Sequence, residues 1–262
     1  MKKTGPDLSA LRKNGETIDE ISGSRLRIFQ KEKGYRFSID ALLLAYFVHL
    51  KKGDHIIDLG TGSGVIAVIM AQRKECGRVV GVDIQEELVD MAKRSVQLNN
   101  LEEKLVICRG DIRNIEALCD SKSFNVAVFN PPYRKLKSGR INPNDQKSIA
   151  RHEIKATLQD FLNAAGYVLK KSGRAYIIYP ATRMVELLSS MRISGIEPKR
   201  MRIVHSHDDS RAEFVLVEGI KSGREELEVM PPLFIYSEGR KYTEEMTCIF
   251  RELSGSSKAS AE

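Results

Sequence analysis

The feature that most restricts how this chain can fold is a glycine-rich turn at the end of an apolar strand. His55-Ile-Ile-Asp-Leu59 reads as a short strand that runs into Gly60-Thr-Gly-Ser-Gly64, and a helix is expected from about Gly64 to Arg73. Glycines let the backbone reverse sharply between strand and helix and let a ligand approach the main chain. The same alternation continues downstream, with strands at Arg78–Val82, Leu105–Cys108, Phe124–Phe129 and Ala175–Tyr179 and helices at Glu86–Asn99, Thr157–Leu169 and Thr182–Ser194. Strands alternating with helices in this way are the signature of a doubly wound parallel sheet. Two more strands, Arg200–His205 and Ala212–Glu218, flank the turn-rich His207-Asp-Asp-Ser210 and add an antiparallel hairpin. The expected fold is α/β: a doubly wound, mostly parallel, seven-stranded sheet with an antiparallel edge hairpin.

The flanks read differently. Residues 1–36 form a basic, polar extension in which Thr17–Ile21 and Arg25–Phe29 alternate like a hairpin. Phe37 to Phe47 is expected to be a largely buried helix, capped by Ser38 or Asp40. The core domain is placed at 37–220, a packed extension at 221–253 and a disordered tail at 254–262, where apolar residues are scarce.

Composition narrows the function classes. Hydrophobic residues at 42% and charged residues at 29% fit a globular protein. The longest apolar run, Ala41 to Val48, is too short to cross a bilayer, and no apolar region follows the basic amino terminus as a secretory signal requires. Cys76, Cys108, Cys119 and Cys248 form no C-x-x-C pair, which fits a reducing cytoplasm and argues against zinc or a disulfide framework. His205-Ser-His-Asp208 lacks a third ligand in view, so no metal is expected. A net charge of +7 tilts the partner toward a polyanion.

The glycine turn is not a dinucleotide fingerprint, because Val65 stands where the third glycine of G-x-G-x-x-G belongs, and it lacks the G-K-S/T ending of a P-loop. Asp83 follows the second strand, 23 residues after Gly60, where an acid can accept both hydroxyls of a ribose. Asp111, past the third strand, is placed to accept from an adenine amine, and equally to cap a turn or helix. With Asp58 these make an acid-lined nucleoside site without a phosphate cradle. Such a site suits a cationic, amino-acid-bearing cofactor, and S-adenosyl-L-methionine is such a molecule.

The fourth strand ends in Asn130-Pro-Pro-Tyr133. Proline has no N–H, so this turn offers the Pro131 carbonyl and the Asn130 side-chain oxygen as acceptors on a stiff backbone. Two acceptors suit a planar exocyclic amine or a primary amide, and the Tyr133 ring suits stacking of a flat group. Asn-Pro and Pro-Pro are also ordinary turn signals. Beyond it lie Arg134, Lys135, Lys137 and Arg140, read either as phosphate contacts or as a solvated loop.

Taken together, the motifs resemble those of the class I S-adenosylmethionine-dependent amino-methyltransferases. In that resemblance Asp58, Gly60, Gly62 and Gly64 correspond to the cofactor loop, Asp83-Ile84 to the ribose-binding acid and Asp111-Ile112 to the adenine-binding acid. Asn130 to Tyr133 corresponds to the amine-binding tetrapeptide, with Asn130 beside the cofactor as well as the amine. Phe37–Ala45, Ala150–Glu153 and Pro231–Tyr236 are similar to segments of bacterial tRNA adenine-N6 methyltransferases that modify the base 3′ of the anticodon in a valine tRNA. The resemblance implies RNA, specifically tRNA, as partner. Other acceptors for the same tetrapeptide are a release-factor glutamine, a ribosomal guanine amine and a DNA adenine. A non-catalytic RNA-binding module and a dehydrogenase are the readings from other classes.

Overall fold

The structure, a computed structural model, describes residues 11–21, 26–33, 38–132 and 156–254. Strands β1 (Glu16–Glu20) and β2 (Arg27–Lys31) form an antiparallel hairpin, as the alternating stretches predict. Helix α1 (Ile39–Phe47) follows, with Ser38 at its N-cap position, and is buried along most of its length because nearly all its side chains are apolar. Arg73 donates to the Ala45 and Val48 carbonyls at its far end, satisfying backbone groups that a helix end leaves open.

The doubly wound core comprises β3 (Asp54–Leu59), α2 (Val65–Gln72), β4 (Cys76–Asp83), α3 (Glu86–Leu98), β5 (Leu105–Arg109) and β6 (Phe124–Phe129). It continues through α4 (Leu158–Val168), β7 (Leu169–Pro180), α5 (Met184–Ile193), β8 (Ile196–His205) and β9 (Ala212–Lys221). β3, β4, β5, β6 and β7 run parallel, and β9 lies antiparallel between β7 and β8. The expected α/β sheet with its antiparallel hairpin is therefore present, and its body is the run of strands from β3 to β9. The correction lies at its edge. β10 (Glu228–Val229) and β11 (Leu233–Phe234) pair parallel with β8 and extend the sheet to nine strands. Two-residue strands are too short to leave an alternation in the sequence. Helix α6 (Glu244–Leu253), capped by the Thr243 hydroxyl, ends the described chain.

Why the central strands read as continuous apolar runs is visible in their two faces. Ile56, Val126, Val128 and Tyr176 pack on one side with α1, α2, α3 and α6. Ile57, Leu59, Ala127, Phe129 and Ile177 pack on the other with α4 and α5. Helices on both faces leave a parallel strand no side for water, so both alternate positions must be apolar.

The amino-terminal hairpin is fastened by charge. Arg94 of α3 is 8% exposed and lies over the Phe29 ring at 4.7 Å. It donates to Glu16 Oε1 at 2.6 Å, to Glu16 Oε2 at 2.7 Å, to Asp90 Oδ2 at 2.8 Å and to the Leu11 carbonyl at 2.8 Å. Removing one partner of such a buried pair strands the other charge. Arg94→Met is expected to cost about 3 kcal/mol in urea denaturation and to open the hairpin to limited proteolysis, whereas a loss under 0.5 kcal/mol, roughly the effect of an ordinary surface change, would show the pair to be dispensable.

Candidate active site

Register brings the sequence motifs together. Leu59 pairs with Phe129 on one side and with Val82 on the other, so Gly60 emerges beside Asn130 and Asp83. Asp83 in turn pairs with Arg109, which puts Gly110 and Asp111 next along the edge. Between β3 and β6 the strand order reverses, and the crevice outside the carboxyl ends at such a switch point is where open α/β sheets bind ligands. Asn130, Gly60, Asp83 and Asp111 thus follow one another along a single sheet edge.

Each glycine of the turn has positive φ: Gly60 at 70°, Gly62 at 58° and Gly64 at 88°. Gly60 and Gly62 differ in what surrounds them. A Cβ on Gly60 would lie 3.0 Å from the Phe161 ring, whereas one on Gly62 would meet nothing within 4 Å, so Gly62 faces open space in which a ligand can approach the backbone.

The acids hold this turn in shape. Asp83 Oδ2 accepts from the Gly62 amide at 2.9 Å and Oδ1 from the Gln85 amide at 2.8 Å, tying the loop to the end of β4. Asp58 is 1% exposed and accepts from the Thr61 hydroxyl at 2.6 Å. Burial pushes its carboxyl up to about 7, the Asp83 charge adds to the effect, and Thr61 and the Ala67 amide oppose it. Burial also raises Asp83, against the Gln85 and Gly62 amides. Two crowded, buried carboxylates make a site that a cationic group would stabilise, and Gly62 supplies the room beside them, so the residues fit a sulfonium nucleoside.

Asp111 departs from the simplest expectation. It caps the 3₁₀ turn Ile112–Ala117 by accepting from the Arg113 amide, and both its oxygens engage the Arg113 guanidinium, Oδ2 at 2.6 Å from Nη2. That bond holds its carboxyl below the usual range. Ile112 is buried behind it and Ile84 follows Asp83 at the strand end. His205 Nδ1 and His207 Nε2 each lie 2.8 Å from a backbone carbonyl, of Ser210 and Gly239, so both hold turns together. Among the described residues no group of three or more His, Cys, Asp or Glu is placed to hold a metal, and no helix is long and apolar enough to cross a membrane.

Of the tetrapeptide, Asn130, Pro131 and Pro132 are described; Tyr133 lies outside the described residues, as do Arg134, Lys135, Lys137, Arg140 and Ala150–Glu153. Asn130 is half-buried, and its Nδ2 donates to Asp40 Oδ2 at 3.0 Å. Sequence reasoning assigns Asp40 only a capping role. A residue ninety positions upstream has no local signal linking it to Asn130.

The sheet, the edge site and the turn define a methyltransferase of the α/β class: a family model described as a methyltransferase domain matches residues 50–225, and the chain belongs to that family. It is 30% identical over 203 residues to the tRNA1(Val) (adenine(37)-N6)-methyltransferase of Porphyromonas gingivalis, covering 70% of this chain and 79% of the relative. The enzyme of the same name from Actinobacillus succinogenes is 28% identical, with 87% and 94% covered. Among solved structures, a predicted O-methyltransferase from Agrobacterium tumefaciens matches with a TM-score of 0.67 at 21% identity, covering 81% of this chain and 95% of that one, which supports the fold.

The Asp58 carboxyl carries a pH signature. A folded value near 7 against an ordinary 3.8 means the folded state binds the proton more tightly, so this contribution is full below about 4 and disappears as pH rises through 7. Across that window the stability of wild type relative to Asp58→Asn is expected to fall by up to about 4 kcal/mol in urea titrations of the ligand-free protein. A pH-independent difference would contradict a buried, proton-binding Asp58.

Proposed function

We propose that this protein transfers a methyl group to the exocyclic N6 amine of an adenine in tRNA, the base 3′ of the anticodon (position 37) in a valine tRNA, in the bacterial cytoplasm. The observation that carries the reading is the side-by-side emergence of Gly60 and Asn130 from paired strands, which supports reading Asn130 as an amine-binding group beside a cofactor turn. The names of the relatives support the choice of tRNA adenine over the other amines and amides.

S-adenosyl-L-methionine is the cofactor, and it supplies an electrophilic methyl on a sulfonium. Asp58, Gly60, Gly62 and Gly64 would hold its amino-acid side, Asp83 and Ile84 the ribose, and Asp111 and Ile112 the adenine. An adenine amine is a poor nucleophile because its lone pair is delocalised into the ring. Asn130 Oδ1 and the Pro131 carbonyl each accept one amine hydrogen, which draws the nitrogen toward a tetrahedral shape and turns its lone pair outward. Positioning and acceptor dipoles then supply most of the acceleration; the methyl's bond to the sulfonium sulfur breaks as its bond to nitrogen forms, and the acidic methylated nitrogen gives its surplus proton to water, so no strong base is required. Tyr133 stacks on the base, which must leave its own stack to reach the edge. Arg134, Lys135, Lys137 and Arg140 contact phosphates.

Incubation with labelled cofactor and total bacterial RNA, followed by digestion, is expected to yield N6-methyladenosine. Asn130→Ala should abolish this product while leaving cofactor affinity within about threefold, a difference of under one kcal/mol. A different methylated nucleoside, or a labelled protein, would replace tRNA adenine with that acceptor. Tyr133→Phe should retain activity and Tyr133→Ala should lose it; equal activities would exclude stacking. RNA affinity should fall steeply between 50 and 200 mM salt, by roughly tenfold or more if several phosphates are contacted, and a flat response would remove the four basic residues from the interface.

A further inference from the structure

We infer that Asp40 is the positioning residue that decides which end of the Asn130 amide meets the substrate amine. The inference rests on the reading of Asn130 as the amine-binding group and adds a residue from α1, ahead of the 50–225 span that defines the methyltransferase domain.

An asparagine amide has a donor end and an acceptor end of nearly the same shape, and only the acceptor end can serve an amine hydrogen. Asp40 is 3% exposed, and its Oδ2 accepts from Asn130 Nδ2 at 3.0 Å. By accepting from the NH₂ end, Asp40 Oδ2 turns Oδ1 of Asn130 away from itself. Asp40 is itself fixed by the first turn of α1. Its Oδ1 accepts from the Ala41 amide at 2.9 Å and from the Ser38 hydroxyl. The Ala41 amide is a donor that cannot be turned round, which assigns Oδ1 to it and leaves Oδ2 for Asn130. Through α1, which packs against α2, α6 and β7 in the core, the direction of one amide is tied to a rigid part of the fold.

Charge is not the essential property; the donor–acceptor order is. In Asp40→Asn the new side chain must keep its oxygen toward Ala41, so its NH₂ faces the NH₂ of Asn130. The Asn130 amide then turns over and offers hydrogens to an amine that needs acceptors. Exchanging the two residues, Asp40→Asn with Asn130→Asp, restores the order: the amide now on α1 donates to one oxygen of the carboxylate now at the end of β6, and the other oxygen faces the amine.

The test measures kcat, KM for RNA, cofactor affinity and Tm for wild type, Asp40→Asn, Asn130→Asp and the exchanged pair. Asp40→Asn is expected to lower kcat about 100-fold, the scale of losing one preorganised hydrogen-bonding group at a reacting centre. KM and cofactor affinity should change by less than about threefold, under one kcal/mol. The exchanged pair should recover at least about tenfold over either single variant, since coupled residues are non-additive. A kcat for Asp40→Asn within threefold of wild type overturns the inference. So does a parallel loss of kcat, cofactor affinity and Tm, or an exchanged pair no better than the worse single variant. A second readout needs no substrate: the Asn130 side-chain NH₂ resonance, assigned by its loss in Asn130→Ala, should shift and exchange faster with solvent in Asp40→Ala. An unchanged resonance overturns the inference whatever the substrate proves to be, while a wild-type product other than N6-methyladenosine sinks the functional reading alone.

Discussion

Parallel pairing of β3 with β6 sets the position of everything at the sheet edge. Leu59 opposite Phe129 fixes where each strand stops, and what lies one residue beyond is Gly60 on one strand and Asn130 on the other. Strands in a sheet lie about 4.8 Å apart, so the glycine turn and the Asn130 amide become neighbours through backbone hydrogen bonds alone. A slip of one residue would turn Ile57 and Ala127 to the wrong helical layer, so the apolar faces and the site geometry enforce each other.

Acids around the turn hold its shape. Asp83 bonds the Gly62 and Gln85 amides, Asp58 bonds Thr61, and Asp111 caps a 3₁₀ turn while gripping Arg113. A carboxylate has about four acceptor positions, so structural bonds leave capacity for a ligand's hydroxyl or amine. The burial that raises Asp58 and Asp83 is what a cationic partner would offset, and the same interior that makes these acids costly makes their attraction strong.

The segments outside the doubly wound core brace it from two directions. Arg94 clamps the amino-terminal hairpin to α3. At the other end Arg202 donates to the Pro231 and Pro232 carbonyls and pairs with Glu245, which seats β10, β11 and α6 against β8. Aromatic rings continue that junction: His205 packs on Phe234, His207 on Tyr236, and Tyr236 stacks on Tyr242 at 5.2 Å. Helix α6 adds Met246 and Ile249 to the core layer that holds α1, the helix that carries Asp40.

The linear order of residues was enough to place the alternation of strands and helices, the glycine turn, the acids at the strand ends and the Asn130 tetrapeptide, because each is a local pattern of spacing, polarity or backbone freedom. Three things came only with folding. Register chose which strand ends adjoin; the two-residue strands β10 and β11 formed on β8 without any periodicity of their own; and packing brought Asp40 to Asn130 across ninety positions. Hydrogen bonds between distant residues leave no trace in local patterning, since the donor and the acceptor each look ordinary until the chain brings them together.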